Sequence, residues 1–258
     1  MKVTLLSYTP DAVQLMTTAG KLCYSKGGPE AVQERVLKMS STDQQEFVRG
    51  LIEQDHGSVL EHPSFTFGIE GISRACSHQL VRHRLGSFSQ QSQRYVNMEH
   101  AASQDFVRPP EVAADPDSRL IFADGVIEAA DHYSQLVENL RERGARGEAA
   151  NEDARFLLPN ACPTNVIWTT NFRNLMHVCG LRLCRRAQWE IRGLFKEIVE
   201  ELRCETDDPD LVFLSEFLQP VCLKLGYCGQ GDRGCGMTPT KERVLTAAHQ
   251  AGIYDKQA

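Results

Sequence analysis

The sequence predicts an α+β fold in which a mixed or antiparallel sheet packs against long amphipathic helices. Two segments near the N-terminus alternate apolar and polar residues, as half-buried strands do. Two long segments in the second half carry apolar residues at helical spacing. Strands and helices follow one another without regular βαβ alternation, which favours α+β over a doubly wound sheet. The 258 residues can bury a substantial core in one large domain or two small ones.

In the first half of the chain, period-two alternation predicts strands over Met1–Tyr8 and Ser64–Gly71. Apolar residues near helical spacing predict helices over Asp11–Tyr24, Gln44–Gln54 and Ile72–Arg82. The polar, extended segment Phe88–Val96 is expected to be a strand or loop that lines a site.

In the second half, Asp115-Pro116-Asp117 supplies helix-start signals for a long amphipathic helix over Leu120–Arg143. A short helix is expected to end near Leu157–Pro159, and a second long helix is expected from about Thr170 to Arg203.

Composition places the protein among ordinary globular chains, with 41% hydrophobic and 24% charged residues. The net charge of −6 argues against a general polyanion-binding surface, so any anion site should be local. The sequence shows neither a signal peptide nor a membrane-spanning apolar run. We therefore expect a cytoplasmic protein whose nine cysteines are thiols rather than a disulfide framework.

The stretch Arg82–Tyr95, RHRLGSFSQQSQRY, gathers cations without a carboxylate. Arg82, His83, Arg84 and Arg94 lie among serines and glutamines, and arginine offers a planar fork for phosphate or carboxylate. We favour an anion-binding site, in which these side chains together hold a phosphate or carboxylate group, over a basic face that only contacts solvent. An RNA-binding patch is a third alternative, although the aromatic residues needed for base stacking are few.

The same stretch carries a family resemblance. RHR followed by seven residues and Ser92 is the signature of the flavin-dependent thymidylate synthases. HGSVLEHPSFTF upstream, QRY just after the signature and TNFRNLMHVCGLRLCRRAQWEI downstream also resemble that family. The similarity extends from the first strand to roughly Glu200.

The resemblance implies a methyltransferase that converts dUMP to dTMP. Members of the family are homotetramers that bind FAD and dUMP at subunit interfaces and take the carbon from methylenetetrahydrofolate. NADPH reduces the flavin, which supplies the hydride, and no cysteine nucleophile is required. On this basis, residues 1–203 form the catalytic domain, and residues 204–258 form a Cys- and Gly-containing extension packed on the same domain.

The resemblance also assigns site residues. It implies flavin contacts at His56, Ser58, Arg82, His83, Arg84, Gln90, Asn171, Arg173 and His177. It implies dUMP contacts at Gln79, Arg82, Gln90, Gln91, Ser92, Gln93, Arg94, Arg155 and Arg182. It further implies that Arg182 has the catalytic role of polarising the pyrimidine. Gln90 stands where the family often has Glu, which puts any carboxylate role there in doubt.

Two further expectations concern single side chains. Serine needs an adjacent base to become a nucleophile, and the sequence names none, so we assign Ser92 to binding. If Thr170–Arg203 is one helix, Asn171 and Arg182 share one face, whereas Arg173 and His177 share another. A helix with two polar faces would suit a position between the sites of two subunits.

Two rival functions remain. One is a non-catalytic nucleotide- or RNA-binding module, and the other is a flavoprotein that acts on another pyrimidine nucleotide. His62 is either a site residue or a structural histidine. A metal at the C-terminal cysteines is also an alternative, but their spacing lacks the CxxC pair typical of structural zinc, so no metal is predicted. These cysteines are Cys204, Cys222, Cys228 and Cys235.

Overall fold

The computed structural model describes residues 1–99, 102–204 and 206–251. A four-stranded sheet has the strand order β1-β2-β4-β3. Its strands are β1 (Lys2–Tyr8), β2 (Ser64–Ser73), β3 (Ser87–Gln90) and β4 (Pro163–Asn171).

The central strands β2 and β4 are antiparallel. The hydroxyls of Thr66 and Thr169 lie 2.9 Å apart, and the Gly71 N–H donates to the Asn165 side chain at 3.0 Å. Between these two contacts, the residue number rises along β2 and falls along β4. The two strands therefore run antiparallel. This sheet, together with extensive helix, confirms the predicted α+β fold.

The helices of the described residues are α1 (Ala12–Leu22), α2 (Pro29–Val36), α3 (Ser41–Glu53), α4 (Arg74–Leu80), α5 (Pro110–Ala114), α6 (Pro116–Glu142), α7 (Ala149–Ala154), α8 (Phe172–Arg182), α9 (Trp189–Cys204), α10 (Pro209–Ser215), α11 (Val221–Leu225) and α12 (Lys241–Gln250). Short 3-10 helices occur at Gly57–Glu61, Ser103–Asp105, Arg155–Leu157 and Gly231–Arg233. Within the described chain, no helix is both long enough and apolar enough to span a membrane.

The chain divides into two compact units. The first comprises Met1–Thr4 and Phe67–Trp168. In its core, the Trp168 ring lies between those of Phe67 and Phe88, at centroid distances of 6.0 and 6.2 Å. A second cluster joins α6 to α7 through the buried side chains of Tyr133, Val137, Ala150 and Ala154.

The second unit comprises Leu5–Thr66 and the chain from Thr169 onward. The rings of Phe65 and Phe172 lie 6.1 Å apart in its interior. Helix α1 packs against α2 and α3, and α9 packs against α8 and α10. Met16, Ile191 and Phe195 are fully buried. These apolar contacts hold α8 in place.

The prediction of one helix over Thr170–Arg203 is wrong. Thr170 and Asn171 end β4, in which Thr164, Val166, Trp168 and Thr170 are buried at every second position. The helical run is also broken between α8 and α9. The Gln188 side chain accepts hydrogen bonds from the N–H groups of residues 190 and 191, at 2.9 and 3.1 Å, and so starts a new helix.

Two strand-to-helix junctions position the candidate site residues. At the end of β2, the Ser73 hydroxyl accepts from the Cys76 N–H at 3.0 Å and caps α4. At the end of β4, the Asn171 side chain accepts from the Asn174 N–H at 2.9 Å and caps α8. Each cap pairs an N–H group that the helix itself leaves without a partner.

We predict that Ser73→Ala lowers the free energy of unfolding by about 1 kcal/mol, because it removes the α4 cap. Urea denaturation followed by circular dichroism measures this change. Thr18→Ala is the control. It removes a hydrogen bond to the Gln14 carbonyl inside α1 but gains helix propensity. The two effects oppose each other, so the free energy of unfolding should change little. Equal stability of wild type and Ser73→Ala would contradict a structural role for the cap.

Candidate functional site

The basic segment Arg82–Arg84 forms an exposed turn directly after α4. The His83 N–H donates to the Leu80 carbonyl at 3.1 Å, which holds the turn against the helix end. Arg82 and Arg84 are exposed, and His83 is half-buried. Neither arginine forms an ion pair with any carboxylate in the described part of the chain. The turn therefore presents positive charge to solvent.

Gln79 and the two glutamines at the end of β3 lie in the same unit. Gln79 is half-buried in the last turn of α4. The Gln90 amide donates to the hydroxyls of Ser77 and Thr164, at 2.9 and 3.2 Å. The Gln91 N–H donates to the Asn165 carbonyl at 2.9 Å. An amide at position 90 can donate these bonds, whereas an ionised carboxylate could only accept.

Ser92 and Gln93 form the turn that leads to Arg94. The Ser92 hydroxyl accepts from the Arg94 N–H at 3.2 Å, so its oxygen orders the backbone. The Gln93 amide donates to the Cys162 sulfur at 3.4 Å. Burial raises the pKa of the Cys162 thiol, which keeps it uncharged. Gln93 therefore reaches into the protein in this structure.

Arg94 meets two carboxylates that lie far from it in the sequence. Its Nη2 lies 3.0 Å from Glu152 Oε2 and 3.7 Å from Glu148 Oε1. The Asn151 amide donates to the Arg94 carbonyl at 3.0 Å. The stretch Arg82–Tyr95 contains no acidic residue, but its Arg94 still has counter-charges. Glu152 of α7 and Glu148, just before α7, supply them.

The Arg94 guanidinium nevertheless keeps an unused donor. Its Nε is buried and has no hydrogen-bond partner among the described residues. Buried donors are almost always paired in folded proteins, so Nε is a position where a water or ligand oxygen can act as acceptor.

Arg155 belongs to the same cluster. Its Nε donates to the Glu152 carbonyl at 3.2 Å, at the point where α7 continues into the 3-10 helix Arg155–Leu157. Arg94 and Arg155, both predicted to contact the nucleotide, are thus brought together at Glu152. This cluster can bind a small anion through guanidinium donors.

In the second unit, the segment after α3 carries two predicted flavin contacts. Asp55 has a left-handed backbone with a φ of 60°, and the His56 N–H then donates to the Leu51 carbonyl at 2.9 Å. His56 and Ser58 are exposed. The segment is thus a tight turn that leaves both side chains facing solvent.

The side chain of Arg173, at the start of α8, packs against this turn. Its guanidinium forms an ion pair with Glu61. A Cβ at position 57 would lie 2.7 Å from Arg173 Nε, so glycine is required for the guanidinium to lie where it does. Sequence reasoning missed the importance of Gly57, although the residue lies within the HGS block.

A cavity of about 330 Å³ lies beside Arg173 and His177. Asp55 and Lys224 also line it, and the Lys224 ammonium is 3.5 Å from an Asp55 carboxylate oxygen. Most of the remaining wall is apolar, formed by Ile52, Leu60, Met176, Leu181, Phe217 and Val221. An apolar cavity with cations at its edge suits a ligand that combines a flat ring with anionic groups.

Asn171 and Arg182 do not share a helix face as predicted. Asn171 precedes α8 and caps it, whereas Arg182 is the last residue of α8 and is half-buried. Arg185 and Arg186 lie in the exposed connection to α9 rather than on a helix surface. The argument for two polar faces on one helix therefore fails for Asn171. Arg173 and His177 remain one turn apart on α8.

Several cysteines of the described chain are buried free thiols. Cys179 is fully buried, and burial raises the pKa of its thiol. Across the described residues, no group of three or more His, Cys, Asp or Glu side chains is placed to hold a metal.

Comparison with known proteins agrees with this picture. The family model of the thymidylate synthase complementing protein matches residues 4–206. A flavin-dependent thymidylate synthase from Geobacter sulfurreducens is 44% identical over 95% of this chain and 98% of its own length. Another, from Clostridium tetani, is 37% identical over 95% and 96%.

Solved structures share the fold. The flavin-dependent thymidylate synthase ThyX of Helicobacter pylori, complexed with FAD and dUMP, has a TM-score of 0.63 at 22% identity. The match covers 85% of this chain and all of that one. The UMP/dUMP methylase PolB of Streptomyces cacaoi, bound with 5-Br dUMP, has a TM-score of 0.62 at 22% identity and covers 84% and 93%.

Proposed function

Because the chain belongs to the family of flavin-dependent thymidylate synthases, we propose that it converts dUMP to dTMP. Methylenetetrahydrofolate is the carbon donor, and FAD reduced by NADPH is the hydride source. The observation that carries the proposal is the segment Arg82–Tyr95, which combines an exposed arginine turn with the buried Arg94 Nε, a donor unpaired among the described residues, in a chain of net charge −6.

Arg94 and Arg155 are the residues we assign to the phosphate of dUMP. A phosphate monoester accepts charge-assisted hydrogen bonds from guanidinium groups, and the buried Arg94 Nε needs such an acceptor. The Ser92 hydroxyl fixes the backbone of Arg94 and so supports this geometry. The remaining residues that we assign to dUMP are Gln79, Arg82, Gln90, Gln91, Gln93 and Arg182.

The residues present fit a flavin dinucleotide. Gly57 lets the Arg173 guanidinium lie beside a cavity that combines an apolar wall with Arg173 and His177. The pyrophosphate of FAD is anionic and its ring system is largely apolar, which matches that lining. We assign His56, Ser58, Asn171, Arg173 and His177 of the second unit to FAD, together with Arg82, His83, Arg84 and Gln90 of the first.

Arg182 is the residue that we assign to the chemistry. FAD, when bound and reduced, supplies the hydride that completes the methyl group. The positive charge of Arg182 stabilises the electron-rich pyrimidine ring during methylene transfer, which is electrostatic catalysis. Burial raises the pKa of the Cys162 and Cys179 thiols, which disfavours the thiolate form that a nucleophile needs.

We also propose that the protein is a cytoplasmic homotetramer with its active sites at subunit interfaces. In this proposal, residues 1–203 are the catalytic domain and residues 204–258 are an extension packed on it. Residues 205 and 252–258 of that extension lie outside the described residues.

The function is tested by an anaerobic reaction. Purified protein should be yellow or take up FAD, and NADPH should bleach the flavin. Adding dUMP and methylenetetrahydrofolate should then produce dTMP, detected by chromatography. Protein that FAD cannot reconstitute, together with salt-sensitive oligonucleotide binding, would support the RNA-binding alternative. A bleached flavin without dTMP would support a flavoprotein that acts on another pyrimidine nucleotide.

Arg182→Ala should lower kcat by about 10²–10³, the usual loss when a donor to a developing charge is removed. The variant should retain FAD, which is measured by the flavin absorbance of purified protein. Complete loss of flavin would show that Arg182 holds the cofactor instead.

Gly57→Ala should weaken FAD binding about ten-fold. The new methyl group displaces the Arg173 guanidinium, and a charge-assisted hydrogen bond contributes on the order of 1.5 kcal/mol. Flavin fluorescence titration measures the dissociation constant. Gly50→Ala is the matched control, because its Cβ would approach a neighbouring side chain no closer than 4.0 Å. Unchanged FAD affinity in Gly57→Ala would contradict the assigned role of Arg173.

A further inference from the structure

We propose that Glu148 and Glu152 make the nucleotide site selective for a monophosphate over a diphosphate or triphosphate. The inference rests on the proposed function, which assigns Arg94 and Arg155 to the dUMP phosphate. It adds two carboxylates that the sequence does not associate with the site. Their role is to repel the additional phosphate groups of dUDP and dUTP.

The geometry places both carboxylates at the anion-binding group itself. Arg94 Nη2 contacts Glu152 at 3.0 Å and Glu148 at 3.7 Å, whereas its Nε is buried and unpaired within the described structure. The Arg94 guanidinium therefore keeps an unpaired donor at Nε and contacts two carboxylates through Nη2. A phosphate bound at Nε lies within a few ångströms of both carboxylates.

The local charges explain why a second phosphate is disfavoured. The charges of Glu148 and Glu152 cancel those of Arg94 and Arg155. A single phosphate can accept hydrogen bonds from the free donor, whereas further phosphates bring charge to a cluster with no excess positive charge left. The repulsion acts within the screening length of about 8 Å at physiological salt, and a neighbouring phosphate of the same chain lies well inside that distance.

Solvent exposure sets the size of the effect. Both glutamates keep more than two-fifths of their side-chain surface exposed, so water screens their charges and the repulsion is moderate. We expect a change in selectivity of about five-fold to ten-fold, which two exposed charge interactions of up to about five-fold each can supply together.

A role only in orienting Arg94 makes a different prediction. If the carboxylates merely hold the guanidinium in place, their loss weakens all phosphate ligands to the same extent. If they repel additional phosphates, their loss improves dUDP and dUTP binding relative to dUMP. The ratio of affinities thus separates the two roles, which the affinity for dUMP alone does not.

The test uses the full chain loaded with FAD and the double variant Glu148→Gln/Glu152→Gln, whose amides keep the shape of the carboxylates. Calorimetry measures the dissociation constants of dUMP, dUDP and dUTP at constant pH in about 0.15 M salt, the physiological value. The variant's preference for dUMP over dUDP should fall five-fold to ten-fold, and raising the salt should lower the wild-type preference. An unchanged ratio would overturn the inference.

Two further variants make the result unambiguous. Glu152→Gln alone should give a smaller change in the same direction, and it replaces the double variant if the latter does not fold. Asp153→Asn, which neutralises an exposed neighbour on α7, should leave the ratio unchanged. An equal effect of Asp153→Asn would mean that the total negative charge of α7, and not the contacts with Arg94, sets the selectivity. That result would also overturn the inference.

Arg94→Ala separates this inference from the function on which it rests. Loss of dUMP affinity by at least ten-fold in Arg94→Ala, with an unchanged ratio in the glutamate variants, refutes only the selectivity role. Unchanged dUMP affinity in Arg94→Ala shows instead that the phosphate binds elsewhere, and the proposed nucleotide site is then wrong.

Discussion

The antiparallel pairing of β2 with β4 is the interaction on which the candidate site depends, because both strands lead directly into helices that carry or deliver functional side chains. Ser73 and Asn171 cap α4 and α8 at these junctions, so one of the N–H groups that each helix start leaves without a partner is paired. Helix α4 then ends at the Arg82–Arg84 turn, and α8 carries Arg173 and His177 in its first two turns. The end of β2 thus fixes where one group of basic residues begins, and the end of β4 fixes where the other begins.

The parts of the fold predicted from the sequence are those with a clear local period. The alternating strands β1 and β2 and the long helix α6 match their predictions, and the predicted start of α6 is confirmed by the Asp115 side chain, which accepts from the Ser118 N–H at 2.7 Å. The break between α8 and α9 was missed because residues 183–188 contain neither Gly nor Pro. A side chain, that of Gln188, starts the second helix instead, and such a cap is weak evidence when only the sequence is known.

The residues of the candidate site likewise divide into those that the sequence predicts and those that only the structure reveals. The motif indicated the basic residues, and the structure gathers Arg94 with Arg155 in one unit and places Arg173 with His177 in the other. The counter-charges could not be predicted, because Glu148, Glu152 and Lys224 reach their partners only through tertiary contacts. Gly57 was overlooked because its importance lies in a close approach to Arg173 that no local pattern reveals.

These contacts suggest how an acidic chain can bind anionic ligands. Exposed arginines at the Arg82–Arg84 turn supply positive charge, whereas at Arg94 the counter-charges leave a single buried donor in need of an acceptor. The most direct test is a crystal structure of the protein with FAD and dUMP. We predict a phosphate oxygen of dUMP within 3.2 Å of Arg94 Nε, the usual limit for such hydrogen bonds. A phosphate bound away from Arg94, with Nε still unpaired, would contradict the account.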